Sequence, residues 1–195
     1  MSWGNNFLVT LGTWGSRDTA GAETGTFIHE LGHNLGLNHG GPDYVNYKPN
    51  YLSIMNYWFQ ISGVYRDGKW GNYDYQRTKP YSLDENDLNE SKGVNTPGYG
   101  TEWFYTCSKD SKISTASKPI DWNWNGIVQN SVAVDLNCDG NKEMLTSWND
   151  WQQIIFNGGT IGGVGPEKIM TMQRENLPKE LTLDEYKKIE KTRNG

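Results

Sequence analysis

All three histidines of the 195-residue chain fall in one short stretch, His29-Glu30-Leu31-Gly32-His33-Asn34-Leu35-Gly36-Leu37-Asn38-His39. On a helix of 3.6 residues per turn, His29 and His33 project from one side and can reach a common ion. His39 lies six residues further on and cannot share that face, so the chain must turn between them. Gly36 is placed to end the helix, because a left-handed C-terminal residue costs glycine nothing. Ile28, Leu31 and Leu35 then supply the expected core-facing stripe. Helix, tight turn and return stretch are demanded together.

Three neutral imidazoles around a zinc ion leave one position open for water. Zinc lowers the pKa of such a water to about 7. Glu30, next to His29, is the candidate general base that takes the proton and passes it to a leaving amine. An isolated histidine is more often structural than a ligand, and His-Glu-x-x-His also occurs by chance. Here, however, the whole histidine supply stands at ligand spacing.

The stretch His29–His39 resembles the long zinc signature of the metzincin endopeptidases, and Ser53-Ile54-Met55-Asn56-Tyr57 resembles their Met-turn. The resemblance implies an α+β catalytic domain that acts on protein or peptide substrates in extended form. It also implies an extracellular location. In that family Met55 would form an apolar floor under the metal, and Tyr57 would stabilise the oxyanion. Gly40, directly after His39, assigns no subgroup. Only 28 residues precede His29, so much of the N-terminal sheet of such domains is expected to be missing. The expected division is a zinc peptidase region over 1–118, Asp/Asn-rich loops over 119–157, and a linker with a C-terminal helix over 158–195.

The formal net charge is −5, which argues against a nucleic-acid partner, since that would need a basic stripe. No basic run suits an anionic membrane surface, no apolar run spans a bilayer, and the N-terminus carries no signal-peptide pattern. Nothing sets an oligomeric state. Cys107 and Cys138 would pair in an oxidising compartment and stay free in a reducing one. With only 35% hydrophobic residues, the nine Trp and eleven Tyr must supply much of the core.

Asp121-Trp122-Asn123-Trp124-Asn125-Gly126 and Asp135-Leu136-Asn137-Cys138-Asp139-Gly140 share the pattern D-x-N-x-(N/D)-G. Alternating oxygens before a glycine suit calcium, with Asp121, Asn123, Asn125, Asp135, Asn137 and Asp139 as candidate ligands. Val132 and Thr146 stand where an EF-hand needs a glutamate. The loops look more like the shorter calcium loops of secreted bacterial modules such as dockerins, with Asp135 and Asp150 as candidates to close the first and second. The same residues also make ion-free turns. Further expectations are a strand at Asn6–Leu11 and mostly irregular structure over 40–100. Within that stretch, a helix is expected after a capping box at Ser82–Glu85, with Leu88 facing inward. Later come a helix at Asn149–Phe156, a linker at Gly158–Gly165, and a helix from Thr182 to about Thr192. Three functional readings compete: a metalloendopeptidase, a calcium-stabilised binding or adhesion module on a degenerate protease domain, and a fragment inactive without its upstream part.

Overall fold

A computed structural model of the chain describes residues 8, 9, 11, 19–107, 110–155 and 180–193. These residues form a mixed α and β arrangement with two helices and three two-stranded antiparallel sheets. Helix α1, Thr19–Asn34, carries the first two histidines. It closes as expected at Gly36, which has φ 89°. The Leu37 N–H donates to the Gly32 carbonyl at 2.9 Å and the Gly36 N–H to the His33 carbonyl at 3.0 Å, the paired bonds of a left-handed glycine cap.

The buried face of α1 follows the expected stripe only in part: Ile28 and Leu35 pack on a core cluster. Ile28, Leu31 and Leu35 are only half-buried, whereas Ala22, Thr26, His29 and His33 are buried. The core comes so close to this face that only small residues fit between the histidines. A Cβ on Gly32 would lie 2.2 Å from Met55 Sδ, and one on Gly25 would lie 1.8 Å from the Gln60 carbonyl oxygen.

Beneath the helix runs a stretch, residues 48–61, that is buried at every position yet contains neither helix nor strand. Buried backbone groups outside regular structure need other partners, and side-chain amides supply them. Asn56 Nδ2 donates to the carbonyls of Lys48 and Tyr51 at 2.8 and 2.9 Å. Asn50 Nδ2 donates to those of Tyr81 and Leu145 at 2.9 and 2.8 Å. The Leu52 N–H donates to Gln76 Oε1.

Strands β1 (Val64–Arg66) and β2 (Lys69–Asn72) form a hairpin within the span expected to be irregular. Its turn residues, Asp67 and Gly68, both have positive φ, 52° and 81°, as a two-residue Asp-Gly hairpin requires. The helix expected after Ser82 is absent. Leu83–Asp84 is instead strand β3, and the Glu85 carboxylate turns away to accept from the N–H groups of Leu136 and Glu143. Strands β4 (Gly100–Thr106) and β5 (Asp110–Thr115) pair with each other, and β6 (Met144–Leu145) pairs with β3.

At Asn149–Phe156 the described residues hold only a short 3-10 turn, Asp150–Gln152, because Asp150 is drawn into the core. Helix α2, Leu183–Arg193, follows the second capping box as expected. The Thr182 N–H donates to Glu185 Oε2 at 2.9 Å, and the Glu185 N–H donates to Thr182 Oγ1 at 3.3 Å. Of the strand expected at Asn6–Leu11, Leu8, Val9 and Leu11 are described and lie in no strand. The rest of it, and Gly158–Gly165, fall outside the described residues.

Candidate metal centre

The protonation of two rings follows from their neighbours. His29 Nδ1 lies 3.0 Å from the Ile54 carbonyl oxygen, and His33 Nδ1 lies 2.9 Å from that of Leu37. A carbonyl oxygen only accepts, so each Nδ1 carries the hydrogen, and in the neutral ring Nε2 presents a bare lone pair. Yet the Nε2 atoms converge. They are 3.1 Å apart between His29 and His39, 3.1 Å between His29 and His33, and 2.9 Å between His33 and His39.

Two of the three rings resist protonation. Burial, with His29 close by, pulls His33 down to about 4. Burial and then His29 and His33 hold His39 well below the ordinary imidazole range. Ring nitrogens that present lone pairs to one another cannot bond to each other, but they can bond to a common cation. Ligand atoms ~2.0–2.1 Å from a tetrahedral zinc are themselves roughly 3.3 Å apart. The donor set therefore fits zinc in both chemistry and spacing.

Each ring is anchored by a different part of the chain. His29 is tied to the buried stretch through Ile54, and His33 to the closure of α1 through Leu37. Next to His39, the buried Lys48 ammonium braces the return loop. Its Nζ donates to the carbonyls of Gly40 and Thr146, both at 2.9 Å, and to Asp43 Oδ2 at 2.6 Å. Burial pulls the Lys48 pKa down, against the Asp43 carboxylate that raises it.

Met55 is fully buried, with its sulfur against Gly32. The Tyr57 ring lies tilted against those of His39 and His29, with centroids 4.6 and 5.8 Å away. Burial, followed by the charge of Glu180, pushes its phenol pKa far up. Glu30 is half-buried; burial and then Glu180 raise its pKa, against the lowering effect of His29.

A fourth group was not foreseen from the sequence. Glu180 Oε2 lies 3.6 Å from His29 Nε2 and 3.7 Å from His39 Nε2, and Glu180 Oε1 lies 3.9 Å from His33 Nε2. No local motif marks Glu180, because only the tertiary fold brings it there.

The two Asp/Asn loops lie elsewhere and share one construction. The N–H of the sixth residue donates to the first carboxylate, Gly126 to Asp121 at 2.6 Å and Gly140 to Asp135 at 3.0 Å. Asn125 N–H donates to Asn123 Oδ1 at 3.1 Å, and Asp139 N–H to Asn137 Oδ1 at 3.4 Å. The fourth residues, Trp124 and Cys138, both have left-handed φ, 54° and 55°.

Each loop also hangs on a buried glutamate. Glu90 accepts from the N–H groups of Trp122 and Gln129 at 2.8 and 2.7 Å. Glu85 accepts from those of Leu136 and Glu143 at 2.6 and 3.0 Å. Asp150 closes neither loop. It is buried, accepting from Tyr51, Ser53, Trp148 and the Gln76 N–H at 2.6–2.8 Å. Cys107 and Cys138 are joined in a disulfide. Their cluster with Asp135 therefore offers no free thiolate, which leaves the histidines with Glu180 as the metal-type group among the described residues.

A protein-family profile described as Peptidase M66 matches residues 11–81. The matched span contains the three histidines, Glu30, Met55 and Tyr57, but neither Glu180 nor the Asp/Asn loops. This similarity supports a metallopeptidase, and with it protein or peptide substrates. No curated protein and no solved structure matches the chain. Among the described residues no helix is long and apolar enough to cross a membrane.

Proposed function

We propose that the chain is a zinc-dependent endopeptidase of the metzincin type, with His29, His33 and His39 as ligands and Glu30 as general base. The observation that carries this reading is the convergence of three imidazole Nε2 atoms in a buried centre, inside the span similar to a metallopeptidase family. Zinc held there supplies Lewis-acid polarisation of a scissile carbonyl and acidifies a nearby water. Glu30, with its raised affinity for protons, accepts a proton from the attacking water and returns it to the departing amine. Tyr57 remains protonated and donates to the oxyanion developing on the carbonyl. Met55 fills the floor under Gly32 and keeps the histidine helix at its short distance from the core.

The Cys107–Cys138 disulfide supports a secreted protein. Calcium in the Asp/Asn loops would stiffen the C-terminal part and take no role in hydrolysis. The test is the Glu30→Gln variant, assayed by zinc analysis and by cleavage of unfolded casein. It should keep one zinc per chain and lose cleavage by roughly 10³-fold, within the range of general-base contributions. Cleavage at the parent rate would remove Glu30 from the mechanism.

A further inference from the structure

We infer that Glu180 is an internal fourth ligand of the histidine centre, and that residues 180–193 form an inhibitor built into the chain. The inference rests on the zinc reading above and extends it. Glu180 brings its carboxylate to the three Nε2 atoms, with Oε2 at 3.6 Å from His29 and 3.7 Å from His39 and Oε1 at 3.9 Å from His33. Those distances are close to the spacing of about 3.3 Å between neighbouring ligand atoms on a tetrahedral zinc. A carboxylate is also an ordinary zinc ligand, and three imidazoles leave one position for it. The same position is the one a substrate carbonyl or an attacking water must use. Occupied by Glu180, the centre has four protein ligands, the closed condition of a structural site.

The approach of Glu180 is set by the packing that follows it. Leu181, the next residue, is buried in the main apolar cluster together with Tyr57. Two residues on, the Thr182–Glu185 capping box starts α2 and fixes the direction of the chain. Ile189 is buried in the same cluster. The helix also walls a cavity of about 380 Å³ between Glu185, Lys188 and Ile189 on one side and Tyr47 and Phe104 on the other. The Tyr47 ring lies 5.8 Å from that of Tyr57, which lies tilted against His39. The segment thus covers an aromatic row that leads to the metal position. Glu180 keeps half of its side chain exposed, so it can withdraw without dismantling the core.

The experiment uses the full chain and its Glu180→Ala variant, each loaded with zinc and, separately, with cobalt(II). Stoichiometry is read by metal analysis, the ligand set from the visible cobalt spectrum, and access to the metal by titration with acetohydroxamate. Both proteins should bind one ion. The variant should show a changed cobalt spectrum, bind acetohydroxamate at least about tenfold more tightly, and lose zinc to a chelator about 10–100-fold faster, as expected when a metal-orienting group is removed. Its peptidase rate should rise above that of the parent. Leu181→Ala, which loosens the seating but keeps the carboxylate, should move the hydroxamate affinity in the same direction by less. One ion in both proteins with identical spectra and identical acetohydroxamate affinity would overturn the role of Glu180 and leave the zinc reading standing. No stoichiometric ion in either would overturn both.

Discussion

The histidine centre and the paired Asp/Asn loops are both polar regions at the edge of an aromatic core, and they are wired in opposite ways. In the loops most acceptors are answered by a donor, with the buried Asp135 Oδ1 as the exception. Aspartate and asparagine oxygens take N–H groups of their own loop, and Glu85 and Glu90 take N–H groups from beneath. At His29 and His33 the Nδ1 atoms are committed to carbonyls, and the two Nε2 atoms face each other with no donor between them. A polar cluster closed by its own backbone keeps its shape without an ion, whereas converging lone pairs need a cation to offset their repulsion. Converging ring nitrogens are therefore a better guide to a metal than richness in aspartate, and Asp135 Oδ1 is the one acceptor of the loops that shares their character.

The largest expected effect separates the two regions directly. Free zinc at a thousand times its dissociation constant stabilises a protein by ~4 kcal/mol, which is roughly 10 °C in Tm for a chain of this size. Removing divalent ions with a chelator should lower Tm by about that amount in the parent protein. In His39→Ala it should lower Tm hardly at all. A chelator effect that survives His39→Ala would locate a structural cation in the Asp/Asn loops and break the contrast.

Next in size is Glu90→Ala. Glu90 is fully buried, and its removal leaves the N–H groups of Trp122, Asn123 and Gln129 without their acceptor. Unsatisfied buried donors cost about 1–3 kcal/mol each when water cannot reach them. A loss of about 3 kcal/mol in urea unfolding is expected, with zinc stoichiometry unchanged. A loss under about 0.5 kcal/mol would mean that something other than this carboxylate holds the loop.

Gly32→Ala sharpens the comparison from the histidine side. Alanine favours a helix over glycine by up to ~1 kcal/mol. Here, however, the new methyl would stand 2.2 Å from Met55 Sδ and 2.9 Å from Tyr75 Cε1. Overpacking of this kind costs about 1–3 kcal/mol, and Met55 is fully buried and has little room to retreat. The clash should win, with a net loss of about 1–2 kcal/mol and weaker zinc binding. In the Gly32→Ala/Met55→Ala double variant the two losses should be less than additive. Strict additivity would show that the sulfur and Gly32 do not share the space.

The two regions also differ in how far they could be read from the sequence. Helix α1 and its stop at Gly36 follow from local periodicity and one residue's backbone freedom, so both were legible. The stripe Ile28, Leu31 and Leu35 gives only part of the buried face of the helix, since Ile28 and Leu35 pack half-buried on the core. The signal for the rest was the run of small residues, Ala22, Gly25 and Gly32, on the side of the histidines. Two similar capping boxes had different outcomes. Thr182 is followed by Leu183, Tyr186 and Ile189 at helical spacing, while Ser82 precedes a segment whose Glu85 and Glu90 are drawn to distant loops. The Asp67-Gly68 hairpin was available and was missed. Glu180 was not legible, since its place depends on the packing of Leu181 and α2 onto the core. Nor was the buried stretch at 48–61, whose backbone is met by the Asn56 and Gln76 side chains rather than by any periodic ladder.

The smallest effect expected concerns the sign of a pH dependence. Burial pushes Glu85 up to about 7, assisted by Asp135 and opposed by the N–H groups of Glu143, Leu136 and Asn137. An unfolded glutamate titrates near ~4.3, so its folded pKa is the higher one. The group then contributes stability that is fully present below the unfolded value and is lost as pH rises through about 7. Measured against Glu85→Gln by urea unfolding, the parent's relative stability should fall as pH rises from 4.5 to 8. A cation seated in the neighbouring loop would favour the ionised carboxylate and reverse this slope. A relative stability that rises with pH would therefore count against a loop closed by its own backbone, and would make the Asp/Asn region resemble the histidine centre.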